Sequence, residues 1–353
     1  MSIERQLTFW LVTFALIIAL LWLLSEILLP FVAGTALAYL LNPLTNRLER
    51  LGVSRTVAAL LIIGIVVLSF VLLVILIVPI MADQLSSLLS NLPIYVTRLQ
   101  SLLAESEWPW LRRLAGSADV STTMGDLVSQ GAGWLATFLR SLWSGGRALI
   151  SIFSLIVVTP VVAFYLIVDW PRMLSTVERW LPVPHRHTIN EIARDIDAAI
   201  AGFVRGQTAV CLLLGSFYAV SLTLVGLNFG LLIGLISGLI TFIPYVGSMT
   251  GLVLSVGVAV AQFWPDWKWI VVVLGIFLVG QFVEGNILAP KLVGENVGLH
   301  PVWLIFAMFA FGYLFGFVGL LVAVPLAAAI GVILRFALRQ YLASPLYTGE
   351  MRG

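Results

Sequence analysis

Apolar runs of about 20 residues, the length a helix needs to cross a bilayer, recur along this chain with short polar stretches between them. They predict helices at 7–25, 27–41, 56–80, 147–168, 207–226, 229–262, 269–289 and 302–335. Counted once each, these runs make eight crossings. Two of them are long and carry breakers: Pro244 and Gly247 in 229–262, and Gly312, Gly316, Gly319 and Pro325 in 302–335. Both are expected as discontinuous helices or hairpins.

Two polar stretches keep a helical period. Leu85, Leu89, Leu92, Val96, Leu99 and Leu103 form an amphipathic stripe, with a kink or break expected at Pro93. Ile189, Ile192, Ile196, Ile200 and Phe203 form another, interleaved with Glu191, Arg194, Asp195 and Asp197. Each stripe suits either packing against the protein's own spans or contact with another subunit.

Composition agrees with the runs. Of 353 residues, 61% are hydrophobic and only 10% charged, against about 45–50% and about 25% in soluble domains, and the mean hydropathy is +1.08. The fold class expected is an all-α polytopic membrane protein embedded in a lipid bilayer. A net charge of +2 with no clustered basic face speaks against nucleic-acid binding. The single cysteine, Cys211, reads as a small core residue. The first run resembles a secretory signal ending at Ala36-Leu37-Ala38, but it is about twice a normal signal core and is expected to stay as the first helix.

Arginine sets the orientation. Arg47, Arg50 and Arg55 lie between the second and third runs, five Arg lie from Arg172 to Arg205, and Arg335, Arg339 and Arg352 close the chain. The positive-inside rule makes these segments cytoplasmic, with both termini inside. The stretch 81–146 then falls outside, where its length makes its own Arg residues count for little. Trp108, Trp110, Trp170, Trp264, Trp267, Trp269 and Trp303 sit near run ends, as interfacial Trp does.

A weak repeat runs through the second half. Gly226-Leu227-Asn228 and Val246-Gly247 return as Gly298-Leu299-His300 and Val318-Gly319 at an offset of 72, and Phe203-x-x-Gly206-Gln207 returns as Phe277-x-x-Gly280-Gln281 at 74. Duplicated broken helices point to a transport site.

The polar residues at the end of the run Ile270–Phe282 carry the candidate chemistry: Gln281, Glu284, Gly285, Asn286, then Pro290, Lys291 and Gly294. A carboxylate near hydrocarbon depth costs on the order of 3 kcal/mol or more, so it usually faces protein or a watery path. Gln281 and Glu284, three residues apart, share a helical face. Glu284 suits binding a proton, a cation or a hydroxylated solute; a structural pair with Arg205 or Lys291 is the alternative. Non-helical backbone at membrane depth is tolerated where it lines a cavity, and Phe242–Gly247 and Glu284–Gly294 are its expected places. Enzyme chemistry has little support. There is no phosphate-binding Gly-x4-Gly-Lys-Ser/Thr loop, no Gly-x-Ser-x-Gly elbow, and His185 and His187 lack a third metal ligand. No cofactor is expected.

At these residues the chain resembles the autoinducer-2 exporter family of PerM-like bacterial permeases. The elements that match are Arg205-Gly206-Gln207, Ile243-Pro244-Tyr245-Val246-Gly247, Glu284-Gly285-Asn286 with Pro290-Lys291 and Gly294, Gly298-Leu299-His300-Pro301, and Gly319 followed by Val324-Pro325-Leu326. The resemblance implies a bacterial inner-membrane homo-oligomer, a pentamer, that exports small solutes such as the quorum-sensing signal autoinducer-2; some relatives resemble Na⁺(Li⁺)/proton antiporters. Carried onto this chain, it implies a pathway lined by Gln281, Glu284, Asn286, Arg205, Gln207 and Lys291. Pro244, Gly247, Pro290, Gly294, Gly316, Gly319 and Pro325 would then shape the broken helices.

The expected organisation is three spans in 1–80, an extracytoplasmic amphipathic helical segment in 81–146, a fourth span in 147–168, a cytoplasmic helical linker in 169–206, a transport core in 207–340 and a cytoplasmic tail in 341–353. A secondary transporter coupled to protons through Glu284 is the leading expectation and monovalent cation/proton antiport the second. From another class, a membrane scaffold would bind partner proteins through the Leu85–Leu103 stripe.

Overall fold

The computed structural model describes residues 3–104, 146–244, 246–293, 300–344 and 347. Among them there is no strand, and the helices are α1 (Ile3–Leu23), α2 (Ser25–Arg50), α3 (Arg55–Ala104), α4 (Gly146–Trp180), α5 (Arg186–Leu224), α6 (Gly230–Ile240), α7 (Val246–Phe263), α8 (Trp267–Val283), a π-helical stretch (Glu284–Val293) and α9 (Pro301–Leu342). The fold is all-α, and every expected run has a helical counterpart. Among the described residues seven helices are long and apolar enough to cross a membrane; α6, with 11 residues, is shorter. Most of the 81–146 segment, Tyr245, Gly294 and the end of the tail lie outside the described residues.

Where the structure departs from the runs, backbone pairing explains it. No break occurs at Pro93: α3 continues to Ala104. By then it has outrun the roughly 30 Å of a hydrocarbon core, and water can satisfy the carbonyl that a proline leaves unpaired. The Glu284–Val293 stretch is wound as a wider helix and not unwound.

The chain divides into two compact units, one of residues 1–67, 153–207 and 290–353, the other of 68–152 and 208–289. In the first, Ala38 and Leu41 of α2, Ala59, Ile62 and Ile63 of α3, and Ala163 and Ile167 of α4 form the buried core. Arg55 ties the same three helices. Pro171 has no N–H to offer the carbonyl of Ile167 four residues back, which would be orphaned inside α4. The Arg55 Nε donates to it at 2.8 Å, while its Nη atoms reach Asn46 (3.1 Å), Glu49 (3.0 Å) and Asn42 (3.1 Å). Arg55→Met is expected to destabilise the protein by roughly 3 kcal/mol, because it strands a carbonyl, two amides and a carboxylate together. Arg55→Lys should recover only part of this, since an ammonium cannot fork to four acceptors. Thermal unfolding in detergent reads both.

The first unit also holds α9, which is a hairpin. Its backbone is non-helical at Gly316, with φ 58° and ψ −136°. That is a region only glycine enters cheaply. A methyl group on Gly319 would strike the carbonyl of Phe311, and one on Gly312 would meet the side chain of Leu320. Residues eight apart lie about 12 Å apart along a straight helix, so the chain folds back at Gly316. The arm 301–315, about 22 Å long, is too short to cross, whereas 317–342, about 39 Å, is long enough. The helix passes through Pro325 without a second break. On α5, Ile189, Ile192, Ile196 and Ile200 are half-buried and Phe203 is buried.

The second unit is built on close helix contacts. Gly230, Gly234 and Gly238 form one stripe of α6, and a methyl group on them would strike Leu222, Ala219 and Gly215 of α5 respectively. Small residues four apart let two backbones meet, the usual interface between helices in lipid. From α7, Gly247 lies on Thr241 and Gly251 on Ser237 of the preceding arm, with Ser255 and Ala259 fully buried farther along. Residues 230–263 are therefore a hairpin too, with its bend opening at 241–244. Its Pro244 and Gly247 stand 72 residues before Gly316 and Gly319.

The entry to this hairpin is held from α3. Beyond the end of α5 at Leu224, Gly226 has a φ of 76°, and its N–H reaches Thr223 while the N–H of Leu227 reaches Leu222. Gln262 accepts from the Asn228 N–H and donates to the Gly226 carbonyl, both at 2.8 Å. Phe229, with φ 62°, caps α6 without a side-chain hydrogen bond. The missing cap comes from α3, where the Gln84 Oε1 accepts from the Leu232 N–H at 3.0 Å. Tyr95 accepts from the Asn228 amide at 3.1 Å and stands edge-on to Phe229. Gln84→Leu should lower stability by about 1 kcal/mol, the usual worth of a helix cap; hydrogen exchange of the first α6 amides checks it, and it should quicken there before elsewhere.

Candidate functional site

From Ile270 to Gly280 α8 is apolar all round, and its last turn brings Gln281 and then Glu284 onto one face. The Gln281 Nε2 donates to the Glu284 Oε2 at 2.9 Å. The Glu284 side chain is half-buried, and Gln281 and Asn286 are exposed. At Glu284 the helix widens into π geometry for 10 residues, a form that is rare and concentrates at functional sites. The Asn286 Nδ2 donates to the Phe282 carbonyl at 2.9 Å, across the junction of the two windings. Pro290 and Lys291 follow in the same stretch, with Lys291 exposed. The ion pairs among the described residues are Arg55–Glu49 and His187–Glu191, so neither engages Glu284.

Two neighbours of this face were not apparent in the sequence. Tyr218 of α5 is fully buried and stacks on Phe277 with ring centroids 4.4 Å apart. Its hydroxyl lies over Gly280, where a methyl group would strike it, and beside the Gln281 side chain, but makes no hydrogen bond of good geometry among the described residues. An orphaned hydroxyl costs about 1–3 kcal/mol, so it is a donor waiting for an acceptor. The second neighbour is a cleft of about 130 Å³ lined by Ser248, Met249 and Leu252 of α7 and Phe277, Leu278 and Gln281 of α8. Within this unit a carboxylate, an amide and two hydroxyl-bearing side chains thus sit around mainly apolar walls. That is the composition of a site for a small polar molecule.

Of the remaining sequence candidates, Pro244 belongs to the same unit as this face, and Arg205, Gln207, Gly316, Gly319 and Pro325 belong to the other. Gln207 is buried on α5. Arg205, two residues earlier, lines a cavity with Tyr39, Asn42, Trp170 and Asp197. Pro244 stands in the bend of the α6–α7 hairpin, and Gly316 and Gly319 in that of α9.

A family model described as AI-2E family transporter matches residues 11–339. The chain is 30% identical over 328 residues to YrrI of Bacillus subtilis (strain 168), named as a transport protein, covering 90% of this chain and 89% of that one. It is 29% identical to PerM of Escherichia coli (strain K12), named as a permease, over 88% and 87% of the two chains. It is 26% identical to the AI-2 transport protein TqsA of the same organism, over 90% and 86%. These relatives are named as transport proteins or permeases, not as enzymes.

Proposed function

The chain belongs to the AI-2E transporter family and is a multi-pass membrane transporter, and from that premise we propose that it exports a small hydroxylated solute of the autoinducer-2 kind, coupled to protons through Glu284. The observation that carries this reading is the grouping of Glu284, Gln281 and the unpartnered Tyr218 hydroxyl beside a cleft on the α7–α8 face. A hydroxylated solute both donates and accepts hydrogen bonds. It can accept a hydrogen bond from the Tyr218 hydroxyl, donate to the Gln281 or Glu284 oxygens, and leave its carbon skeleton against Phe277 and Leu278. The carboxylate gives the site a group that gains or loses one proton per cycle. The place of work is the bacterial inner membrane, as a homo-oligomer with both termini cytoplasmic.

The α6–α7 hairpin, whose second arm lines the cleft, offers the moving part, because its bend at Pro244 is a point where the chain is not locked by helical hydrogen bonds. Asn286 follows on the π-helical stretch that Glu284 opens, with Lys291 farther along it. Arg205 and Gln207 are not needed at this site by the present reading.

Efflux from proteoliposomes tests the proposal. Liposomes loaded with the autoinducer-2 precursor should release it at a saturable rate that depends on the protein and accelerates under a proton gradient. Release that is absent for the precursor while Na⁺ or Li⁺ moves protons would replace the reading by cation/proton antiport. Silence to solute and ions alike would favour the scaffold.

A further inference from the structure

We infer that the cavity between α2, α4 and α5 in the first unit is a binding site for a zwitterion in which a primary ammonium is joined by a short spacer to a phosphate, the headgroup chemistry of phosphatidylethanolamine. Thr35, Tyr39, Asn42, Trp170, Asp197 and Arg205 line it, with Leu166 and Ile167 as part of its apolar wall. The two charges in it are of opposite sign and are not spent on each other. Asp197 accepts one hydrogen bond, from the Tyr39 hydroxyl at 2.8 Å, and the ion pairs among the described residues include neither Asp197 nor Arg205. Eight residues separate the two along α5, about 12 Å of helix, so the cavity offers an anionic pole and a cationic pole held apart.

Each pole has a fitting ligand group. At the anionic pole, the Asp197 carboxylate sits with two aromatic rings, Tyr39 and Trp170, edge to face with centroids 6.3 Å apart. A carboxylate beside aromatic faces favours an alkylammonium, which pairs with the one and is attracted by the others. Room of about 60 Å³ admits an aminoethyl group, and a primary ammonium can donate hydrogen bonds to the carboxylate where a trimethylammonium cannot. At the other pole stands the exposed Arg205, which takes part in neither ion pair found among the described residues; a guanidinium in that position matches a phosphate in two-point geometry. The cavity also stands at headgroup depth. The apolar run of α4 ends at Val168, Asp169 and Arg172 follow, and Trp170 belongs to the interfacial belt. Anionic lipid alone would leave Asp197 facing like charge, and a simple cation would leave Arg205 without a partner.

Native mass spectrometry of the full-length protein in detergent micelles tests this, with dioleoyl phosphatidylethanolamine, phosphatidylcholine and phosphatidylglycerol offered at equal concentration. O-phosphoethanolamine is titrated separately by calorimetry. Phosphatidylethanolamine is expected to be retained about tenfold over the other two, in line with one charge-assisted contact. Asp197→Asn, which can still accept from Tyr39, should abolish that preference, and Arg205→Gln, an exposed position that does not threaten folding, should weaken it by a similar factor. If O-phosphoethanolamine binds with the same dependence on Asp197 and Arg205 while the lipids show no preference, the site stands and its source is a soluble zwitterion. Retention without headgroup preference together with no O-phosphoethanolamine binding overturns the inference, as does a preference that both variants leave intact.

Discussion

Glu284→Gln is expected to fold as well as the wild type and to lose about a hundredfold or more of its solute-evoked proton flux. The magnitude is that of removing a group whose protonation the cycle requires. The substitution is nearly isosteric, and a Gln side chain still accepts from the Gln281 amide that now donates to Glu284 at 2.9 Å. It also removes a carboxylate from a half-buried position in an apolar run, which relieves a desolvation cost. Thermal stability should therefore match or exceed the wild type, and the pairing of intact Tm with lost flux separates a functional role from a structural one. Flux read from a trapped pH dye decides it: equal rates in the two proteins would remove Glu284 from the coupling step.

Gly238→Leu should have the largest effect on folding. A Cβ at this position would lie against the backbone of Gly215 itself, with the Cys211 carbonyl 3.0 Å away. Backbone cannot rotate aside as a side chain can, so α5 and α6 must separate along their whole contact. The expected cost is at least about 3 kcal/mol, the upper end of overpacking, and the contacts of Gly230 and Gly234 would be lost with it. Gly257→Leu and Gly275→Leu provide the comparison, because a Cβ there meets nothing within 4 Å. Size-exclusion profiles and Tm values should show Gly238→Leu aggregated or strongly destabilised. The two controls should lie within about 1 kcal/mol of wild type after allowing for helix propensity. Similar behaviour in all three would mean that the α5–α6 contact does not hold the unit together.

Much of this architecture is legible in the residues. Run length and composition give the membrane-spanning helices. Pro244 and Gly316 mark the two hairpin bends because the one lacks an N–H and the other tolerates a φ of 58°. The three-residue spacing of Gln281 and Glu284 places them on one face, and they are hydrogen-bonded there. The π winding from Glu284 to Val293 could not be read, since ten residues are too few for periodicity to separate 3.6 from a wider turn, and Pro290 with Gly285 looked like an unwound segment. Tyr218 was hidden for another reason: a lone tyrosine in an apolar helix reads as core until its hydroxyl is known to lack a partner.

Other features were written in the sequence but needed the fold to give them meaning. Gly230, Gly234 and Gly238 show the four-residue spacing of a close helix contact, yet nothing in the chain says that Leu222, Ala219 and Gly215 meet them. Pro171 announces an orphaned carbonyl at Ile167, but its donor, Arg55, comes from 112 residues earlier. The compact units are interleaved, with residues 68–152 and 208–289 forming one of them, and a reading in chain order divides the molecule elsewhere. Long-range packing decides all three, and local pattern cannot report it.

The claim that the site beside α8 recognises a hydroxylated solute is tested most directly by measuring the affinity of the autoinducer-2 precursor for the purified wild type and for Tyr218→Phe. This change deletes a single buried hydroxyl and leaves the stack on Phe277 in place. The account predicts saturable binding to the wild type and about a tenfold weaker affinity in the variant, the loss of one buried hydrogen bond, with Tm unchanged or raised because the orphaned hydroxyl is gone. Equal affinity in the two proteins, or no binding to the wild type, would contradict it.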